Sequence, residues 1–346
     1  MTQLALDNST VEQLALDRML VEVFYENKEA EYPPLIVVLS HIRNDREYEA
    51  TNDLVHKLLR KFGHTAPSVI AVSAQNSTAI MYGEVTEWIH HADKCAIVTF
   101  SQWAAQALAH GTRSIRLGVP HIFTGMHDVS TFESFDTAHP SYAHTTGLVV
   151  KHPSYYPMMR TVMDWHTGSK RLWCLNHPDH VSRDTLAGRC GLSQENLEAC
   201  KSLGLEVLPL MVRSNEELDV KLSSRLQPKS DLILTGLSGI ALAYSDTISL
   251  LAELHQTPVI SQSLEVVKKG HAAVGHGSWG DFTTELMVQR LFQMIVHGEK
   301  ARSFPLEIVK EAEQVRYNEE VMEKQGLLLG GATKRTLRAR SIHDGY

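Results

Sequence analysis

Two stretches of this chain follow one plan, and that repetition limits the fold more than any other feature. Val98 to Gly125, "VTFSQWAAQALAHGTRSIRLGVPHIFTG", reads as a strand end, a small polar turn at Ser101-Gln102, a helix, and a second strand opening at Val119-Pro120. Leu232 to Gln262, "LILTGLSGIALAYSDTISLLAELHQTPVISQ", repeats it, with Thr235-Gly236 at the turn and a second strand after Pro258. An apolar run that does not alternate with polar residues suits a strand buried on both faces, which is the habit of parallel sheets covered by helices. "LIVVLSH", "SVIAVSA", "KCAIVTF", "KRLWCLN", "LEVLPLMV", "HAAVG" and "PLEIV" are further strands of this kind, separated by helical stretches. One of those helices is predicted from Asp45 to Phe62, with Gly63 as its stop.

The fold class is therefore α/β: two doubly wound parallel-sheet lobes joined by a hinge. A chain of 346 residues is longer than one core usually serves. The expected organisation is an N-terminal helical extension over 1–33, capped at Ser9-Thr10, and a first lobe of 34–146 plus 263–298. The second lobe takes 147–262 plus 299–330, and 331–346 is a basic, solvated tail. Residues 126–147 read as a polar, His-rich linker.

In open α/β sheets, ligands bind outside the carboxyl ends of the strands. The polar lips there are Ser40-His41, Ser101-Gln102, Gly125 to Asp128, Asn176-His177, Thr235-Gly236 and Ser261-Gln262. Each stands where a following helix points its free N–H groups. Such residues are also ordinary helix caps, so the argument rests on the set. Ser40, Ser101 and Asp128 are expected on one wall of an interlobe cleft, with Asn176 and Thr235 on the other.

From Leu35 to about Leu329 the chain resembles the bacterial ABC-transporter substrate-binding proteins of the tryptophan/tyrosine-uptake type, which are type I periplasmic binding proteins. The resemblance is carried by "AIVTFSQWAAQAL" with "GVPHIFTGMHDV", "HTTGLVV" before a Met-rich helix, "WCLN", "DLILTG", "TPVISQSLEVVKKGHAAVG" and "IVHGEKARSFPLEI". It implies a closing cleft that holds one small solute, often an aromatic or other amino acid, and a transporter permease as partner. It carries over to Ser40, Ser101, Gln102, Asp128, Thr146-Gly147 at the lobe crossing, Asn176, and Thr235-Gly236. His41 and Ser261 join them as lip residues. Asp128 is the residue expected to meet an ammonium group, and Trp103 or Tyr155 an apolar portion, unless both are core. The chain departs from the family at Gly236-Leu237, where an Asp-Asn is usual, and in lacking an export signal.

Other classes are argued down by chemistry. A formal net charge of −7 opposes a nucleic-acid partner. No run is long and apolar enough to span a bilayer, and no signal peptide is legible, so the chain as given reads as cytoplasmic; a processed form would be periplasmic or on the cell surface. "GHGSWG", Gly275 to Gly280, fits G-x-G-x-x-G but comes after the other strands, where a dinucleotide fold would place it first; a plain turn is expected. "HPDHVSRD" sets His177, Asp179, His180 and Asp184 close together, and H-x-x-H on a loop can supply two metal ligands, but with 19 histidines in the chain such clusters are expected by chance. "TGLSGI" falls short of a nucleophile elbow, and "GGATKR" of a phosphate loop. Cys95 and Cys174 read as buried thiols, while Cys190 and Cys200 can bridge in an oxidising compartment. The expectation is a non-enzymatic solute-binding protein with no cofactor and no metal. The alternatives are a cytosolic ligand sensor of the same fold and an α/β enzyme using the Gly-rich segment.

Overall fold

Six strands open the chain: β1 (Leu20–Tyr25), β2 (Leu35–Leu39), β3 (Val69–Ser73), β4 (Ala96–Thr99), β5 (His121–Met126) and β6 (Thr145–Val150). Five follow in a second sheet: β7 (Arg171–Asn176), β8 (Glu206–Met211), β9 (Asp231–Thr235), β10 (Val259–Ser261) and β11 (Val274–Ser278). The chain then returns to the first sheet for β12 (Glu307–Val309) and to the second for β13 (Glu313–Tyr317). These come from a computed structural model that describes residues 20–41, 43–91, 95–101, 103–105, 108, 119–126, 145–150, 154–166, 168–178, 181, 184–236, 239–278, 281–309 and 313–327.

The chain divides into two units, Met1–His152 with Gly280–Glu311, and Pro153–Trp279 with Ala312–Tyr346. The first unit's sheet has the order β1-β3-β2-β4-β5-β6-β12, and the second's β13-β11-β10-β9-β7-β8. Every pair is parallel except the edge pairs β1 with β3 and β11 with β13. Set aside the edge additions and each sheet runs second-first-third-fourth-fifth, so one plan is indeed used twice.

Burial on both faces explains the unbroken apolar strands. Leu35, Val37 and Leu39 of β2 pack with Leu54 and Leu58 of the helix Asp45–Phe62 and with Met287 and Leu291 of the helix Asp281–Val296. Ile36 and Val38 face the other way, onto Met81, Val85, Trp103 and Leu108. β7 divides likewise. Leu172 and Cys174 join Tyr155, Met158 and Leu197, while Trp173 and Leu175 join Leu218, Leu222 and Ile248. Each such side chain contributes about 1.5–3 kcal/mol by leaving water. The helix Asp45–Phe62 starts where Asn44 accepts from the Glu47 N–H, and stops at Gly63, whose φ of +61° suits glycine.

Three expectations need correcting. Leu20, Val21 and Val23 lie in a strand and not in a helical extension. Their β-branched and aromatic run pairs antiparallel with the free edge of β3, from Leu20 opposite Ser73 to Tyr25 opposite Val69. Residues 1–19, and the tail from 328 on, lie outside the described residues. The lobe assignments also change: β11 pairs with β10, so 263–278 belongs to the second unit, and β12 pairs with β6, so 307–309 belongs to the first. Residues 147–150, expected in the second lobe, complete β6 in the first unit. Finally, Gly275 to Ser278 is strand, not turn. A Cβ at Gly275 would stand 2.5 Å from Val267 Cγ2, and one at Gly277 3.2 Å from the Gln262 carbonyl, so the glycines let β11 lie close against the segment after β10.

Candidate functional site

Within each sheet the connections run outward in both directions from the first strand of the repeat. The sense reverses between β2 and β4 in the first unit, and between β7 and β9 in the second. At such switch points the loops beyond the strands diverge, which leaves room for a ligand. Four expected site residues sit there: Ser40 and Ser101 after β2 and β4, Asn176 at the end of β7, and Thr235 at the end of β9.

In the first unit Ser40 is buried, and its backbone N–H and its hydroxyl both donate to Glu47 Oε2, at 2.7 and 2.8 Å. Asn44 Nδ2 donates to the same hydroxyl at 3.0 Å. Glu47 is the third residue of the helix Asp45–Phe62, the position from which an acid usually folds back to close a capping box. Here it reaches to Ser40 instead. Burial pushes the Glu47 carboxyl up to about 7, opposed by hydrogen bonding from Ser40 and Ser101 and, least, by the charge of Arg46. Its second oxygen, Oε1, is buried with no hydrogen-bond partner.

The Ser40 carbonyl accepts from the Asn76 N–H at 2.7 Å. Asn76 ends a tight turn after β3, in which Gln75 and Asn76 both have positive φ, 50° and 59°. Its side-chain amide is buried, and neither Oδ1 nor Nδ2 has a partner. Sequence reasoning passed over both Glu47 and Asn76. The signal for Asn76 was available, because "AQNS" after "SVIAVS" is a polar lip like the others.

The remaining expected residues of this unit are engaged within the protein. His41 Nδ1 accepts from the Arg43 N–H at 3.0 Å, and burial, then the Arg43 charge, lowers the imidazole to about 4, so it is neutral near pH 7. The Ser101 hydroxyl accepts from the Ala104 N–H at 3.2 Å, which is a helix cap. Thr146 and Gly147 lie inside β6, where Arg290 donates to the Thr146 hydroxyl at 3.3 Å and to the Gly147 carbonyl at 3.2 Å, and pairs with Glu307 at 2.6 Å. A Cβ at Gly147 would fall 2.0 Å from the Phe123 ring, so packing alone requires glycine there. Gln102 and Asp128 lie outside the described residues.

In the second unit Asn176 is buried and its Nδ2 donates to the Arg189 carbonyl at 3.5 Å. Gly236 and Gly191 approach its amide: a Cβ would stand 2.6 and 3.0 Å from Oδ1 respectively. That contact accounts for Gly236 beyond β9. Thr235 donates to the Ile260 carbonyl at 3.4 Å, and the Ser261 hydroxyl accepts from the Ser263 N–H at 3.0 Å. Gln262, next in line, is buried, and its Nε2 has no partner. His276 of β11 meets the Tyr155 ring edge-on at 5.9 Å between centroids. Tyr155 and Trp103 are both core side chains.

Among the described residues no group of three or more His, Cys, Asp or Glu could hold a metal ion. His177 is buried and Asp184 exposed, while Asp179 and His180 lie outside the described residues. All four cysteines are buried and free. Cys174, Cys190 and Cys200 share one core, and Cys190 hydrogen-bonds Cys174. Among the described residues no helix is long and apolar enough to cross a membrane.

No family model matches the chain, and no curated protein matches it. Solved structures do. A conserved domain protein from Vibrio cholerae O1 biovar El Tor is 17% identical over 88% of this chain and 98% of its own, with a TM-score of 0.69. An ABC domain in complex with L-Trp from Streptococcus pneumoniae is 14% identical over 87% of this chain and 97% of its own, with a TM-score of 0.67. An ABC-transporter solute-binding protein from Agrobacterium vitis, bound with α-D-tagatopyranose, is 10% identical over 88% and 98%, with a TM-score of 0.56. The chain has the solute-binding-protein fold. Within that fold Ser40, Glu47, Asn76, Ser101, Asn176, Thr235 and Gln262 stand at the carboxyl edges of the sheets, and Thr146 does not.

Proposed function

We propose that the chain binds a small organic solute of the amino-acid class, without catalysis, as the solute-binding component of an ABC transporter, with a permease as partner. One observation carries this reading beyond the fold. Among the described residues, four of the eight buried side-chain atoms without hydrogen-bond partners stand at the carboxyl edges of the sheets beside the expected lip residues: Glu47 Oε1 and both amide atoms of Asn76 in the first unit, Gln262 Nε2 in the second; others, such as His121 Nδ1 at the start of β5, lie elsewhere. Leaving such an atom unpaired costs about 1–3 kcal/mol. A protein that kept them for no purpose would be destabilised at just the edges where this fold takes ligands. A polar solute would satisfy them. The neighbours in complex with L-Trp and with α-D-tagatopyranose bound support the size of such a solute, not its identity.

A thermal-shift screen of the full chain against the standard amino acids, D-tagatose and allitol tests the proposal. A ligand that binds only the native state raises the melting temperature by mass action, by about 2.7 kcal/mol of stability at a hundredfold excess over Kd. The expected result is a concentration-dependent rise with at least one amino acid. No rise with any compound, and no heat of binding by calorimetry, would remove the solute-binding reading.

A further inference from the structure

We infer that Glu47 is the residue that reads the protonated amine of the solute. This rests on the amino-acid reading above and adds the group that selects the ligand.

The placement comes first. Glu47 is buried beside the β2/β4 switch point and is tied there by two donors from Ser40, both on Oε2, and by hydrogen bonding from Ser101. Oε2 is therefore committed as an acceptor, and Oε1 alone is left to meet something else. That atom has no partner. The charge of Arg46 acts on this carboxyl only weakly, so burial leaves it holding a proton up to about pH 7, and a cation brought to it would favour the ionised form. An isolated buried carboxylate is costly unless a positive charge or several donors compensate it. A sugar hydroxyl could donate to Oε1 but would leave the charge unmatched. An ammonium supplies both.

Asn76 extends the argument. It is joined to the same Ser40 through the Ser40 carbonyl, and its unpartnered amide offers one acceptor and two donors. An ammonium has three N–H groups, enough for Glu47 Oε1 and Asn76 Oδ1 together. Asn76 Nδ2 then remains for an acceptor on the neighbouring carbon, which in an α-amino acid is the carboxylate. This assigns to Glu47 the role that the sequence suggested for Asp128.

The test uses calorimetry on the full chain with matched probes: each amino acid that shifts the melting temperature, its des-amino acid (indole-3-propionate for L-tryptophan), D-tagatose and allitol. The amino acid should bind at least about tenfold more tightly than its des-amino analogue, which needs no variant protein. Glu47→Gln keeps an oxygen that can accept from Ser40 and removes the charge; it should weaken the amino acid by about tenfold or more and leave the des-amino analogue within about threefold. Equal affinity of the two analogues, or tightest binding of D-tagatose or allitol, would overturn the amine assignment and leave solute binding standing. Unchanged amino-acid affinity in Glu47→Gln would overturn the role of Glu47. No binding by any probe would remove the solute-binding reading and this inference with it.

Discussion

Asp231 and Glu47 are both buried carboxylates, and the protein surrounds them in opposite ways. Asp231 begins β9 in the second unit. Arg171 grips it with two bonds of 2.7 Å, and Trp173 Nε1, the Gln227 N–H and the Ser230 hydroxyl complete its shell. Glu47 lies beyond the carboxyl end of β2 in the first unit, with one oxygen doubly bonded to Ser40 and the other bare. The first arrangement is closed: every lone-pair direction is used and the charge is matched, so nothing is left for a ligand. The second is open on one side, and the charge of Arg46 acts on it only weakly. Asp231, at the amino end of its strand, holds the fold together, whereas Glu47, beyond the carboxyl end of β2, keeps one oxygen unpartnered.

The largest expected effect breaks the closed member of the pair. Arg171→Ala strands a fully buried Asp231, and removing one partner of a buried ion pair costs about 3–5 kcal/mol. Urea unfolding should show that loss, with solute affinity unchanged within about twofold. A loss below about 1 kcal/mol would mean that Asp231 is not held by its pairing, and the contrast with Glu47 would dissolve.

The next effect concerns pH. Glu47 titrates near 4.5 unfolded and about 7 folded, so between those values the native state binds the extra proton. Stability from this group is therefore fully present below about pH 4.5 and is lost as pH rises through about 7, by roughly 3 kcal/mol in all. His41, lowered to about 4, and His121, lowered to about 3, act in the other direction. They are protonated in the unfolded chain and neutral in the native one, so their contribution rises with pH up to about 6.5. The difference between wild type and Glu47→Gln isolates the carboxyl, since the histidines are common to both. Unfolding curves measured across this range should diverge as pH rises, with the variant gaining on the wild type. Curves that stay parallel would show that Glu47 is not desolvated in the native state.

Asn76→Gly should have a smaller effect on stability. Glycine accepts the positive φ of 59°, and the change removes an amide with no partner, worth about 1–3 kcal/mol, against a glycine entropy cost of about 1 kcal/mol. Stability should stay level or rise, while amino-acid affinity falls by about tenfold. A fall in stability of more than about 1 kcal/mol would show the amide bonded within the protein.

The fold was legible because its strands are buried on both faces. Runs such as Leu35–Leu39 and Asp231–Thr235 carry that information in themselves, and Asn44 and Gly63 mark the ends of their helix locally. Which sheet a strand joins is a non-local choice. Nothing near Val274 says that it will pair with Ile260, or near Ile308 that it will pair with Val149. β1 was misread for the same reason. It is a half-exposed edge strand whose apolar residues mimic a helical spacing until β3 is beside it. At the site, Ser40 and Asn176 stood out as polar residues closing apolar strands. Glu47 did not, because an acid in the first turn of a helix is commonplace and only burial distinguishes this one.

The smallest expected effect decides what Ser101 does. Its hydroxyl caps a helix at the Ala104 N–H and also helps to hold the Glu47 carboxyl ionised. Ser101→Ala should therefore cost about 1 kcal/mol of stability through the lost cap. It should also move the Glu47 carboxyl further up, so that less of it is ionised near pH 7 and amino-acid affinity drops by a few-fold. That second loss works only through protonation. It should shrink at about pH 8.5, where Glu47 is ionised in both proteins and an amino-acid ammonium is still largely charged. A direct contact between Ser101 and the solute predicts otherwise: a loss of about tenfold that persists at the higher pH, because a missing hydrogen bond does not return with ionisation. Affinities of wild type and Ser101→Ala at the two pH values separate a residue that touches the solute from one that acts through Glu47.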